Sequence, residues 1–186
     1  MPAIAPQDWE QLVDEVSRIG YWDAGDVLVV RDTVLAGLHA PVVDWLVANG
    51  FPQEVRSASN YTLGCLGSGF HEDSKFYPAE FFCIMWLEDD EDWDLMFPHS
   101  GQRIELRRGT VVAFDPANVH GVVSRGSDVF RPEDMRNCTL QLFTSLNMPS
   151  TTDVLALFGI QWFEADASSG ADAATSQIDG RTGAIQ

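Results

Sequence analysis

Apolar residues recur at helical spacing through residues 8–19, where Trp9, Leu12, Val13, Val16 and Ile19 share one face. Asp8 stands in the capping position with Gln11 three residues on, and Gly20 follows the last turn, so the pattern predicts an amphipathic helix. The apolar run Val27–Val30 predicts a short buried strand. Asp32 or Thr33 can cap a helical turn, and Pro41 opens a further helix through Val42, Val43, Trp45 and Leu46 to Gly50. From about residue 54 the period falls to two, and strand-like segments follow one another with turn residues between them. They are Ala58–Cys65, Phe70–Glu72, Glu80–Leu87, Leu95–Phe97, Arg103–Leu106, Thr110–Phe114, Val119–Val123 and Asn137–Phe143. Thr151–Phe158 reads as one last helix, and after Phe163 the chain turns to Ala, Ser, Gly and Asp with no aromatic residue.

Eight short strands predict a sandwich or small barrel with the helices packed outside. Phe81–Trp86 is apolar on both faces, as a strand between a second sheet and a covering helix layer must be. The expected organisation is a single domain: a helical support region over 1–54, a β core over 55–148, a helix or extension over 149–163, and a disordered tail over 164–186. No internal repeat is visible.

Composition narrows the function. The 186 residues carry a net charge of −17, with 28 acidic residues against 11 basic ones, of which only Lys75 is lysine. Such a chain has enough apolar content for one core, and the balance disfavours a nucleic-acid partner. Cys65, Cys83 and Cys138 are odd in number, widely spaced and inside strand-like runs, which reads as buried thiols rather than a disulfide framework. The first residues have no basic region ahead of an apolar one, and no stretch reaches the length of a membrane span, so a cytoplasmic location without membrane attachment is expected.

Two of the four histidines stand in suggestive places. His71-Glu72-Asp73 closes a strand-like segment after Gly64-Cys65-Leu66-Gly67-Ser68-Gly69, and His120 follows several strands later. In a strand, residues two apart point the same way, so His71 and Asp73 can share one face while Glu72 takes the other. Two imidazoles and one carboxylate on one side of a metal, leaving further positions open, is the arrangement of non-haem Fe(II) oxygenases. The triplet alone is common; the frame around it gives it weight.

Residues 24–146 resemble the Fe(II)/2-oxoglutarate-dependent oxygenase superfamily, and within it the prolyl-4-hydroxylase-like branch. The resemblance is carried by Val27–Trp45 as the lead-in, Tyr61-Thr62-Leu63-Gly64, His71-Glu72-Asp73, Trp86-Leu87-Glu88-Asp89, and Arg108–Phe114 ahead of His120. It implies a mainly β fold with flanking helices, a double-stranded β-helix of the jelly-roll or cupin kind. It implies Fe(II) on His71, Asp73 and His120, with 2-oxoglutarate and O2 as cosubstrates. In that family a basic residue at the start of the final strand holds the distal carboxylate of 2-oxoglutarate; Arg136 fits that position, and Tyr61 can add a hydrogen bond. The stretch from His120 to Arg136 is longer than the family's, so Arg125 and Arg131 compete for the same role.

The implied reaction is hydroxylation of a C–H bond in an amino-acid, peptidyl or small-molecule substrate, with release of succinate and CO2. The carboxylate of Asp73 favours hydroxylation over halogenation, whose enzymes lack it. Two rivals stay open: a cupin-type metal enzyme that does not use 2-oxoglutarate, which a pocket without a basic residue would favour, and a non-catalytic barrel serving as a binding module. The acidic run Glu88–Asp94 is either a solvated hairpin tip or a guide for a cationic substrate.

Overall fold

A computed structural model describes residues 6–19, 23–31, 36–77, 79–88, 92–135, 138–159 and 177–185. The elements run α1 (Pro6–Ile19), β1 (Val27–Arg31), α2 (Ala36–Ala48), β2 (Ser59–Cys65), β3 (Ser68–His71), β4 (Glu80–Trp86), β5 (Trp93–Phe97), β6 (Gln102–Leu106), β7 (Val111–Phe114), β8 (His120–Ser124), β9 (Gln141–Pro149) and α3 (Thr152–Leu157). A five-stranded sheet in the order β1-β2-β9-β4-β7 faces a four-stranded sheet in the order β3-β8-β5-β6, and every pairing is antiparallel. From β2 to β9 the chain crosses from one sheet to the other at every step except β5 to β6. That alternation is the double-stranded β-helix, a jelly roll of the cupin type, with β1 added at one edge.

The two-sided apolar strand behaves as its sequence requires. Phe82, Ile84 and Trp86 of β4 join the core between the sheets, with Leu95, Phe114 and Val122 opposite or beside them. Phe81 and Cys83 point the other way onto Val43 and Leu46 of α2, and Met85 packs with Leu12 of α1. Leu12 and Leu46 are wholly buried, and each such side chain contributes about 1.5–3 kcal/mol of apolar burial. No helix among the described residues is long and apolar enough to cross a membrane.

Three expectations change, and a fourth is not described. The second helix begins at Ala36, so Pro41 lies inside it, on its exposed side, rather than opening it. The caps assigned to Asp32 or Thr33 lie outside the described residues. The final strand is Gln141–Pro149 and not Asn137–Phe143. Its second half reads as polar, yet Thr144, Ser145 and Asn147 are buried because β9 lies between β2 and β4. Their polar atoms find partners inside: Ser145 donates to Asn147 Oδ1 at 2.8 Å, and Asn147 Nδ2 donates to Glu80 at 3.0 Å. Finally, residues 177–185, within the stretch expected to be a disordered tail, form a hairpin closed by the Ile178–Ile185 bridge and docked on the barrel. Phe70 N–H donates to the Gly180 carbonyl at 2.7 Å, and Phe130 N–H donates to the Arg181 carbonyl at 2.9 Å. Low apolar content argued for disorder, but an open strand edge with free backbone donors can bind a chain that brings little more than carbonyls.

β3 is not a regular strand. Ser68 pairs with Val122 and His71 with His120, so Gly69 and Phe70 stand opposite the single residue Gly121, a β-bulge. A side chain on Gly121 would come within 2.9 Å of the Phe70 ring and 3.0 Å of the Ser68 carbonyl. Gly121→Ala is therefore expected to force β3 and β8 apart and to destabilise the protein by about 1–3 kcal/mol in urea unfolding. An unchanged midpoint would show that the bulge tolerates a methyl group.

Candidate metal centre

β3 and β8 lie side by side in the smaller sheet, and their register sets His71 directly across from His120. The two imidazole rings stand 4.5 Å apart between centroids. Asp73 is not on the strand, since β3 ends at His71. The chain instead turns, and the Asp73 N–H donates to the Pro116 carbonyl at 2.9 Å while its own carbonyl accepts from Phe76 and Tyr77. That turn brings Asp73 Oδ2 to 3.5 Å from His71 Nε2 and 3.8 Å from His120 Nε2. One donor atom from each of the three side chains lies within 4.8 Å of the other two, so the three predicted ligands converge. Glu72 takes no part: its carboxylate accepts from the Ser74 N–H at 2.9 Å and from the Ser74 hydroxyl.

The imidazoles are also correctly oriented for a metal. His71 Nδ1 lies 2.7 Å from the Gly69 carbonyl and His120 Nδ1 lies 2.8 Å from the Asn118 carbonyl. A carbonyl can only accept, so each Nδ1 carries a proton and each Nε2 is the nitrogen turned towards Asp73, where a metal would take it. Asn118 thus supports His120 through its backbone and not its side chain. The Asp115 side chain instead closes the turn, accepting from Ala117 N–H at 2.8 Å.

Charge in the site is balanced locally. Burial, followed by the nearby charge of His71, lowers His120 to about 4, so this ring is neutral near neutral pH. Burial also opposes the charged form of His71, but the bond to Asp73, the Gly69 carbonyl and the charges of Asp73 and Glu72 outweigh it, and its pKa is raised. Burial likewise opposes ionisation of Asp73, yet the hydrogen bond from His71 and the two imidazoles hold its carboxyl below the usual range. Cys65 lines the same cavity; burial pushes its thiol up to about 12, so it offers no thiolate to a metal.

The triad opens into a cavity of about 250 Å³ between the sheets. On β9 the residues that reach it are Phe143 and Ser145. Arg136 lies outside the described residues, and β9 starts only at Gln141. Tyr61, half-buried on β2, is not among the described residues that line the cavity, although it lies close enough to Tyr77 to influence its hydroxyl. Tyr77 does line the cavity, as does Phe76. Both were missed in sequence, although two aromatics so soon after an H-x-D triplet are a usable signal.

Arg125 is engaged elsewhere. It meets Asp92 at 2.9 Å and Glu105 at 2.6 Å, and Asp94 at 3.8 Å, on the face of the smaller sheet turned away from the cavity. Arg103 bonds the same Asp94 at 2.9 Å, which is only 2% exposed. The acidic run is therefore partly structural: Trp93 points into the core and Asp94 anchors two arginines. Arg131 lines a shallow concavity with Ser124, Asp128 and Asp134, apart from the triad. A second cavity of about 350 Å³, lined by His99, Asp115 and Asn118 among others, lies beyond Phe114, whose ring forms a wall of both.

No family model matches the chain, and no curated protein matches it. Among solved structures it is similar to the polyketide cyclase RemF from Streptomyces resistomycificus, at 14% identity and a TM-score of 0.33 over 50% of this chain and 54% of that one. It is also similar to hydroxypropylphosphonic acid epoxidase from S. wedmorenis, at 10% identity and 0.31 over 52% and 46%. A third is YcfD, a ribosomal oxygenase from Escherichia coli, at 11% identity and 0.32 over 65% and 34%. The chain spans about half the length of the first of these. The fold assignment rests on the strand order itself.

The donor set suits a divalent transition metal: two neutral nitrogens and one carboxylate oxygen, with a side open to the cavity. Metal must displace the proton on His71, so affinity for Co(II) is expected to fall as pH drops. Below the raised pKa of His71 the loss is about tenfold per pH unit, with one proton released per metal, until His120 joins at about 4. Calorimetry in two buffers of different ionisation enthalpy measures that number. Two protons per metal near pH ~6 would mean that His120 is not held neutral.

Proposed function

We propose that this protein is a mononuclear non-haem Fe(II) oxygenase that oxidises a C–H bond of a small-molecule substrate held in its cavity. The observation that carries this reading is the convergence of His71, Asp73 and His120 at the wall of a cavity between the sheets. Bound Fe(II) would supply O2 activation at the positions that the three ligands leave open.

The chain's own residues supply the rest. His71 and His120 present Nε2 in fixed orientation through their carbonyl partners. Asp73 stays ionised and lowers the net charge of the loaded site. The apolar walls exclude water, which protects a reactive oxidant from side reactions. Tyr77 is a polar group able to orient a substrate in front of the triad.

Use of 2-oxoglutarate, with release of succinate and CO2, is the finer form of this reading and turns on a cation for the distal carboxylate. Among the described residues no arginine or lysine lines the cavity, so the role falls to Arg136. If Arg136 does not reach, the cupin-type oxygenase without that cosubstrate is the reading that stands.

Anaerobic titration with Fe(II), with and without 2-oxoglutarate, separates these cases. One iron per chain is expected, and Asp73→Ala is expected to weaken it at least about tenfold. A visible charge-transfer band that needs 2-oxoglutarate supports the finer form, and Arg136→Ala then raises the concentration required. Iron binding with no such band removes 2-oxoglutarate. No iron binding by the folded protein removes the oxygenase reading.

A further inference from the structure

The cavity over the triad has walls of one chemical kind. Leu63, Ile84, Trp86, Leu95 and Phe143 form its body, and Val27, Val29 and Phe76 stand at its exposed end. These last three are among the most exposed large apolar residues described, Phe76 at 78% and Val29 at 55%. An apolar mouth leading to an apolar interior means the same chemistry from solvent to metal ligand.

The polar groups along this path are nearly all committed. Ser68 Oγ accepts from the Val122 N–H at 3.0 Å, and the Ser145 hydroxyl donates to Asn147 at 2.8 Å. The Cys65 thiol stays protonated. Beyond the triad, the Tyr77 hydroxyl is the group left to meet a polar atom of a ligand. Among the described residues the lining groups that can carry charge are Asp73 and the two histidines, which face one another, and a metal would take all three. Among the described lining residues a carboxylate or ammonium group finds no counter-charge outside the triad, and it loses its hydration.

We propose that this cavity takes an uncharged, predominantly apolar small molecule, carrying at most one hydrogen-bonding group for Tyr77. An amino acid, a peptide terminus or a phosphorylated compound is the wrong chemistry for it. At about 250 Å³ the cavity is smaller than the usual drug-sized pocket, which sets the ligand at the scale of one substituted ring or a short branched chain. The oxygenase reading says what happens to this molecule; its binding does not depend on a metal.

The test uses the full chain, metal-free, with three fluorinated probes of one ring size followed by 19F NMR: 4-fluorotoluene, 4-fluorobenzoate and 4-fluoro-L-phenylalanine. The neutral probe is expected to bind at least about tenfold more tightly than either charged one. It is also expected to shift the ring signals of His120 and leave those of the exposed Trp45 on α2 unmoved. Ile84→Trp, which fills the cavity, should remove binding. Equal or tighter binding of a charged probe overturns the assignment, as does undiminished binding by a folded Ile84→Trp protein. If that variant does not fold, the probe ranking and the His120 shift on the wild type decide. Failure of iron binding removes the oxygenase reading and leaves this cavity assignment intact; failure of the probe ranking does the reverse.

Discussion

The convergence of His71, Asp73 and His120 depends on one irregularity in one short strand. In a regular β3, Ser68 and Phe70 would face the barrel interior and His71 would face out, because side chains alternate. The extra residue between Ser68 and His71 resets that parity. Ser68 and His71 both face the cavity, and Phe70 is turned outward onto Gly121. The same local geometry supports the histidine, because the carbonyl of bulged Gly69 is the acceptor for His71 Nδ1. It is clamped from outside by the carboxy-terminal hairpin, where Gly180 accepts from Phe70 and Gly183 packs on Phe70 so closely that any side chain there would collide with Pro98. Gly183 is at φ 72°, a conformation that also favours glycine.

Once the bulge has placed two imidazoles 4.5 Å apart, electrostatics decides their protonation. Two imidazolium ions side by side in a poorly solvated wall would repel, and the more buried His120 gives up its charge. Asp73 then keeps the proton on His71. The two shifts act on stability in opposite directions. The raised pKa of His71 stabilises the metal-free fold below the ordinary imidazole value of 6.5, and that contribution is lost as pH rises through its folded pKa. The lowered pKa of His120 costs stability as pH falls from 6.5 towards about 4, because the unfolded chain takes up the proton that the folded one refuses. At higher pH a metal bound there would replace the His71 proton as the positive charge between the three side chains.

The parts of this protein that were legible in its sequence are those governed by period and residue type. The alternation in β2, β4 and β8 and the two-sided apolar run of β4 were visible, and so was the H-x-D triplet with a distant His120. The physical reason first given for the triplet was incomplete, however. Residues two apart on a strand do share a face, but Asp73 is off the strand and reaches the site through a turn tied to Pro116. The inward half of β9 was obscured because Ser145 and Asn147 satisfy each other only once the strand is buried. The docking of residues 177–185 was invisible because it uses backbone groups, which no side-chain pattern records.

The charge of the chain gives a last constraint on what the cavity can hold. Six of the ten arginines fall between residues 103 and 136, but Arg103 and Arg125 neutralise Asp92, Asp94, Glu105 and Asp128 on the outer face of the smaller sheet. Asp94 explains why they must. A carboxylate 2% exposed needs donors, and it has two guanidinium groups and the Gly126 N–H at 3.0 Å. These ion pairs tie β5, β6 and the turn after β8 together behind the strand that carries His120. They leave the interior with no positive charge among the described lining residues except what the triad holds. The net charge of −17 is therefore a property of the surface, and the chemistry inside is set by two histidines, one aspartate and a hydrocarbon wall.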